Sequence, residues 1–293
     1  MADIEPRWWS VSPNDTGDSV AVCSLCFRNC AIGMGREGLC GTRRFTGAGF
    51  ESPLLGKFSS TAIDPIEKKP LYHWRPGTKI LSLGSLGCNF FCPFCQNHSI
   101  AHPHGERELQ EIPPAILLET AKRYGLSSVA YTYNEPSLQA EYILAAAPLL
   151  RKNGVSSVMV TNGAFSEVVR DELAFCVEAM NIDVKTFNDA GYEKLGLSRD
   201  AMKAVTSNVE ALVSASVHVE ITNLVVPEIS DNESDFSDMV DWIADISPAI
   251  PLHISRYFPA YRYQAPTTDV KLMKKFLATA EKKLKHVHLG NVW

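Results

Sequence analysis

The chain has 293 residues, 45% of them hydrophobic, enough for one large α/β domain with a small appendage and too few for two full catalytic domains. A formal net charge of -5 supplies no overall positive field to draw the protein to nucleic acid or to an anionic membrane. The opening MADIEPRWWS lacks a charged-then-apolar leader, and no apolar run approaches the ~20 residues that span a bilayer, so a cytoplasmic protein is expected.

In chain order, residues 1–75 are rich in Gly, Cys and Arg with little periodicity, which predicts a loop-dominated module ordered by a metal. Its VCSLCFRNCAIGMGREGLCG segment places Cys23, Cys26, Cys30 and Cys40 in a C-x2-C-x3-C-x9-C pattern. Four thiolates hold either zinc in a closed tetrahedral site or an auxiliary [4Fe-4S] cluster, and the spacing leaves both open. His73 and Trp74, in KPLYHW, precede the first strand and read as braces for the loop after it or as stacked core.

Residues 76–293 form the second expected unit. From Lys79 onward, short β-branched runs alternate with amphipathic stretches, the pattern of repeated βα units on a parallel sheet. The strands are KILSLGS, SSVAYTY, SSVMVTN, AMNIDVK, VHVEITNLVV and PLHISRY; helices fit at about 113–124, 137–152, 166–178, 201–214, 235–246 and 268–284. Six such units fall two short of a complete eight-stranded barrel, so the expected fold is a partial (β/α)6 TIM-like barrel open on one side, with a doubly wound sheet as the alternative. In either case function collects at the C-terminal ends of the strands.

Directly after the first strand, GSLGCNFFCPFCQN carries Cys88, Cys92 and Cys95 with C-x3-C-x2-C spacing. Three thiolates ligate three irons of a [4Fe-4S] cube and leave the fourth iron open. An open iron suits a bidentate amino-carboxylate such as the methionine end of S-adenosylmethionine (SAM). A zinc loop would need a fourth ligand, for which His98 is the near candidate. Phe90, Phe91 and Phe94 would shield the cluster from water and also contact adenine, Phe94 being the cofactor-binding candidate. The eighth cysteine, Cys176, sits in the apolar run DELAFCVEAM and reads as a buried core thiol.

Strand parity assigns further candidates. His218, Glu220 and Thr222 share one face of their strand, Asn181, Asp183 and Lys185 one face of theirs, and the last strand adds His253 and Ser255. A charged zwitterion in a low-dielectric barrel needs a counter-charge at each end, which Asp183 and Lys185 supply unless they serve only as a mutual ion pair. Glu220, His218, His253 and Arg256 are candidates to contact SAM or substrate, with Arg256 on the opposite parity from His253.

GCNFFCPFCQN, KKPLYHWRPG, YTYNEPS, TNG, IDVKTF, HISRYFPAYR and LGNVW together resemble the radical SAM proteins of the AmmeMemoRadiSam system, relatives of the pyruvate formate-lyase activating enzymes. The likeness runs over about residues 20–293. It implies a partial (β/α)6 barrel and abstraction of a hydrogen from a glycine of a partner protein, with flavodoxin or ferredoxin as electron donor. It places Asn134 and Glu135, ahead of Pro136, where the family's Gly-Gly-Glu-Pro segment meets the SAM amino group; Tyr133 and Asn134 replace both glycines, and the same residues also fit a helix start. It places Thr161 and Asn162, with Asp183 and Lys185, in the methionine pocket, and Tyr261 near a histidine of some activating enzymes. Val160 stands where some of them have an acidic cation ligand, so no cation is expected there. Radical modification of a small molecule or nucleic acid is the alternative chemistry, and a non-catalytic iron-sulfur or zinc carrier the alternative class.

Overall fold

The computed structural model describes residues 4–13, 19–103, 107–198 and 200–292. The amino-terminal stretch builds a three-stranded antiparallel sheet, β1 (Trp9–Pro13), β2 (Ser19–Cys23) and β3 (Ala31–Gly33). Three two-residue strands follow, β4 (Arg44–Phe45), β5 (Phe50–Glu51) and β6 (Lys57–Phe58). Strand β7 (Ser60–Pro65) lies within the 1–75 stretch but joins the large sheet, antiparallel to β8 (Lys79–Gly84).

From β8 the chain alternates as expected. It runs through α1 (His98–Ala101), the short β9 (Gln110–Glu111), α2 (Pro114–Arg123), β10 (Ser128–Tyr131), α3 (Ala140–Lys152), β11 (Ser156–Thr161), α4 (Glu167–Ala174) and β12 (Ala179–Asp183). There follow α5 (Asp189–Lys194), α6 (Asp200–Ser214), β13 (His218–Val225), α7 (Glu233–Ile246), β14 (Leu252–Arg256), α8 (Val270–Ala280) and β15 (Val287–Gly290). The sheet order is β15-β14-β13-β12-β11-β10-β8-β7, parallel throughout except at β7, with β7 and β15 as its edges. This is the open α/β barrel expected, extended by a seventh parallel strand, β15, that the pattern of six units leaves out.

Local chemistry explains the layers. Parallel strands are covered on both faces and therefore read as apolar runs, as in β8, where five of six residues are buried. Helix α6 buries Ala201, Val205, Asn208, Val209 and Leu212, the stripe of a helix lying on a sheet. Asn232 caps α7 by accepting from the Ser234 and Asp235 N–H groups, and Asp269 caps α8 through the Lys271 N–H.

Between β7 and β8, residues 66–78 form a strap across the N-terminal end of the barrel. The Tyr72 and His73 N–H groups donate to the Glu220 carboxylate at 3.0 and 2.8 Å, and Asn181 Nδ2 donates to the Pro70 carbonyl at 2.9 Å. Ile66 and Leu71 are fully buried in a small core with Ile80, Ala130, Val158 and Ala179, and Trp74 packs against it. Among the described residues no helix is long and apolar enough to cross a membrane.

Candidate active site

Leaving β8, the chain turns at Gly84–Gly87 and enters the loop that carries Cys88, Cys92 and Cys95. Gly87 has φ +90°, and a Cβ there would lie 2.6 Å from the Cys40 carbonyl oxygen, so this turn requires glycine. Asn134 pins the loop from the next strand end. Its Oδ1 accepts from the Ser85 N–H at 3.0 Å, and its Nδ2 donates to the Gly87 carbonyl at 2.8 Å and to Ser85 Oγ at 3.0 Å. Within the loop, the Cys95 N–H donates to the Cys92 carbonyl and the His98 N–H to the Cys95 carbonyl, winding it toward α1.

The three thiols line one cavity of about 430 Å³ at the C-terminal ends of the parallel strands. That volume falls within the roughly 300–1,000 Å³ typical of small-molecule sites. Burial pushes the Cys92 thiol up to about 12 and raises Cys88 and Cys95 as well, so thiolate at this site needs a cation to hold it. Phe90 and Phe94 are buried, and Phe94 lines the cavity. Phe91 instead faces outward, 38% exposed, stacked on His102 with ring centroids 5.1 Å apart. His98 does not line the cavity; it stacks on Tyr261 at 4.5 Å.

Asn134, Glu135, Thr161 and Asn162 come together on the wall beside Cys88. The Glu135 carboxylate is buried, accepting from Thr161 Oγ1 at 2.7 Å and from the Ser137 and Asn162 N–H groups at 2.9 Å each. Burial raises its pKa, and these donors act against that rise. Glu135 thus ties two strand ends together as well as facing the cavity. Tyr133 holds φ +74° at one of the two positions where the resembled family has glycine, a backbone strain that its hydroxyl offsets by donating to Asp64 at 2.6 Å.

Asp183 ends β12, and Lys185 follows two residues on. Lys185 Nζ meets Asp183 Oδ2 at 2.8 Å, and both line the cavity with Cys92 and Cys95. Burial alone would lower the Lys185 pKa, but Asp183 and the neighbouring cysteines carry it upward, so the ammonium stays charged at neutral pH. Thr222, Leu224, Ser255 and Asn291 complete this side.

Glu220 and His253 do not line the cavity; they lie lower in the barrel, in the floor that the strap closes. Glu220 is fully buried and accepts from His253 Nε2 at 2.7 Å, from His218 Nε2 at 2.9 Å and from the two strap N–H groups. His73 joins the same floor, 2.8 Å from His288 between Nε2 atoms. Parity put these side chains on the inner face and was silent on their depth along the barrel axis. Arg256 donates to the Thr268 carbonyl at 3.0 Å and does not line the cavity.

Sequence reasoning passed over Lys68, Lys69 and Asn291, which all line the cavity. Lys68 and Lys69 both pair with Asp64, at 2.9 and 2.7 Å, and Ser82 Oγ donates to the same carboxylate at 2.9 Å. The pair KK in IEKKPLY was the available signal, but its meaning depends on Asp64 reaching it from β7. The amino-terminal thiols gather at a second place: Cys23, Cys26, Cys30 and Cys40 all line one small cavity with Asn89 and Leu138.

A parallel α/β barrel with a three-cysteine loop at its C-terminal rim is the architecture of an iron-sulfur barrel enzyme. Residues 83–243 match the model of the Radical SAM superfamily, and the chain belongs to that superfamily. It is 36% identical over 279 residues to the uncharacterized protein MJ0808 of Methanocaldococcus jannaschii, covering 94% of this chain and 82% of that one. A radical SAM methyltransferase from Sphaerobacter thermophilus has a similar fold, with TM-score 0.55 at 12% identity over 96% of this chain and 76% of its own. SuiB of Streptococcus suis, solved bound to S-adenosylmethionine, has TM-score 0.53 at 16% identity over 69% of this chain; the match spans 47% of SuiB.

Members of the superfamily use a [4Fe-4S] cluster and SAM. The residues here fit both: the buried Cys92 thiol and the half-buried Cys88 and Cys95 thiols face one cavity of ligand size, with a charged pair on its wall.

Proposed function

We propose that Cys88, Cys92 and Cys95 hold the cluster, that SAM occupies the adjoining cavity, and that the enzyme removes a hydrogen atom from a residue of a protein substrate. The observation that carries this reading is that the three thiols and the Asp183–Lys185 pair share one cavity wall. When bound, the cluster supplies the electron that breaks a carbon–sulfur bond of SAM, giving methionine and a 5'-deoxyadenosyl radical.

The chain's own part is positioning. Asp183 faces the SAM ammonium and Lys185 its carboxylate; Thr161 and Asn162 line the methionine side, and Phe94 packs on adenine. Asn134 and Glu135 fix the rim against which the amino group sits. The likeness to activating enzymes favours glycine as the target residue and flavodoxin or ferredoxin as the reductant, and the AmmeMemoRadiSam assignment belongs to the same proposal. Residues 1–75 act as a metal-binding module on a barrel of residues 76–293, lending that barrel its edge strand β7 and the start of the strap.

Lys68 and Lys69 around the single Asp64 carboxylate make one corner of the wall locally cationic, while Glu135 and Asp183 supply negative charge elsewhere on it, and that corner suits an anionic group on the substrate. This observation supports the second reading, a small anionic molecule as substrate.

Anaerobically reconstituted protein reduced with dithionite should convert SAM to methionine and 5'-deoxyadenosine, and Cys92→Ala should abolish it. Unchanged turnover in that variant would overturn the assignment. Deuterium transfer into 5'-deoxyadenosine, measured with the protein and filtrate fractions of a deuterated cell extract, separates the two substrates. Label arriving from the filtrate alone favours the small molecule.

A further inference from the structure

We propose that Cys23, Cys26, Cys30 and Cys40 hold a single tetrahedral ion, zinc(II), and that this ion fixes the position of Cys88. The first half stands without the SAM-cleaving reading; the second rests on the Cys88 loop being the cluster site.

Two tight turns present the four thiols. In the first, the Cys23 N–H donates to the Cys30 carbonyl at 2.9 Å and the Asn29 N–H to the Cys26 carbonyl at 3.2 Å, closing residues 23–30 into a knuckle. In the second, the Gly38 N–H donates to the Arg43 carbonyl at 2.8 Å and the Gly41 N–H to the Gly38 carbonyl at 2.9 Å, bringing Cys40 to face the first. The space they enclose decides the ligand. Its cavity volume is about 10 Å³, against about 430 Å³ at the other cysteines. About 10–15 Å³ on this measure admits one water-sized body. The four thiols as placed do not yet converge on one ion position among the described residues; closed on a lone zinc with Zn–S bonds of about 2.3 Å they suit that space, whereas an eight-atom iron-sulfur cube does not.

An independent observation points to anionic sulfur. Arg43 is almost fully buried and lines this cavity, and its Nε has no hydrogen-bond partner. The other guanidinium nitrogens are engaged, with Glu141 at 2.7 Å and the Arg7 carbonyl at 3.1 Å. A buried donor without an acceptor is costly, and a metal-bound thiolate supplies the acceptor. Four thiolates and one zinc carry a net charge of about −2, which Arg28 in the wall opposes; Arg43, its charge met by Glu141, adds its free Nε–H.

The knuckles bracket Cys88. On one side, Gly87 packs so closely on the second knuckle that an added Cβ would lie 2.5 Å from Thr42 Cγ2 and 2.6 Å from the Cys40 carbonyl oxygen. On the other, Asn89 lines the small cavity together with Cys26, and Arg28 Nε donates to the Asn89 carbonyl at 2.6 Å. Asn89 Oδ1 also accepts from Asn162 Nδ2 at 2.7 Å, on the cavity wall. Both neighbours of Cys88 are therefore held by segments whose geometry the ion sets.

Metal analysis of the reconstituted wild-type protein should give one zinc and four irons per chain; eight irons without zinc would overturn the proposal. A variant with Cys88, Cys92 and Cys95 all changed to alanine, treated with iron and sulfide, should keep one zinc and take up no cluster. Assembly of a cube in that variant would overturn the single-ion assignment, whatever the wild type does with SAM. Asn89→Ala should weaken zinc retention against a chelator roughly ten- to a hundredfold, as loss of an outer partner does; wild-type retention would remove Asn89 from the site. In the triple variant, stripping zinc should raise amide hydrogen exchange across residues 85–97. Unchanged exchange there would remove the coupling to Cys88.

Discussion

Asp183 and Lys185 form an ion pair on the cavity wall at 2.8 Å, and in the proposed function a bound zwitterion divides it between its two ends. Each charge-assisted hydrogen bond so made is worth about 1.5–3 kcal/mol, so Asp183→Asn and Lys185→Met should each weaken SAM binding roughly ten- to a hundredfold. Isothermal titration at matched cluster content tests this, and wild-type affinity in both variants would leave the pair a purely structural one. At this scale the sequence is informative where chemistry is local. That Cys88, Cys92 and Cys95 share one cavity is legible because all three sit on one short loop. Asp183 and Lys185 are legible because alternation puts them on one side of a strand. Lys69 is not, because its role depends on Asp64 and Tyr133, brought beside it from other strands. Glu220 and His253 share the inward parity of Asp183, and only the path of the strap sets them in the floor rather than the cavity.

The strap spanning residues 66–78 shows what an irregular element can contribute to a barrel. Burial alone would raise the Glu220 carboxyl, but His218, His253 and the His73 and Tyr72 N–H groups hold it down at about 2. Because the folded pKa lies below the unfolded one, this network stabilises the protein above about pH 4.3 and loses its effect as pH falls toward 2. Glu220→Gln should therefore destabilise at neutral pH by an amount on the order of 2–3 kcal/mol and flatten the acid limb of the stability profile below about pH 4.5. Urea titrations at neutral and acid pH check it, and SAM affinity in the folded variant should stay at the wild-type level. Strand β15 and the edge strand β7 escaped the pattern for a related reason. VHLG is four half-buried residues, and STAIDP lies in a Gly-rich stretch with Asp64 alone of its residues buried. Edges of a sheet bury less, and their sequences carry a weaker periodic signal.

At the scale of the whole molecule, one cavity draws on nearly the entire chain: Lys68 from the strap, Cys88 from the first βα loop, Asp183 from the middle of the sheet and Asn291 from beyond β15 all line it. Consecutive parallel strands made the barrel legible from alternating runs, while a wall assembled from positions so far apart in the chain was not. During synthesis the amino end emerges first, so a nascent chain that has reached Arg256 already displays all three loop thiols while the β15 side of the wall is still missing. Long-range pairing of this kind completes late and all at once. Ribosome-bound chains of increasing length should acquire SAM binding in a single step as β15 clears the exit tunnel, and stepwise acquisition would show instead that the wall forms piece by piece. The wall is thus incomplete until β15 has been made, which ties occupation of the cavity to the fold that encloses its three thiols.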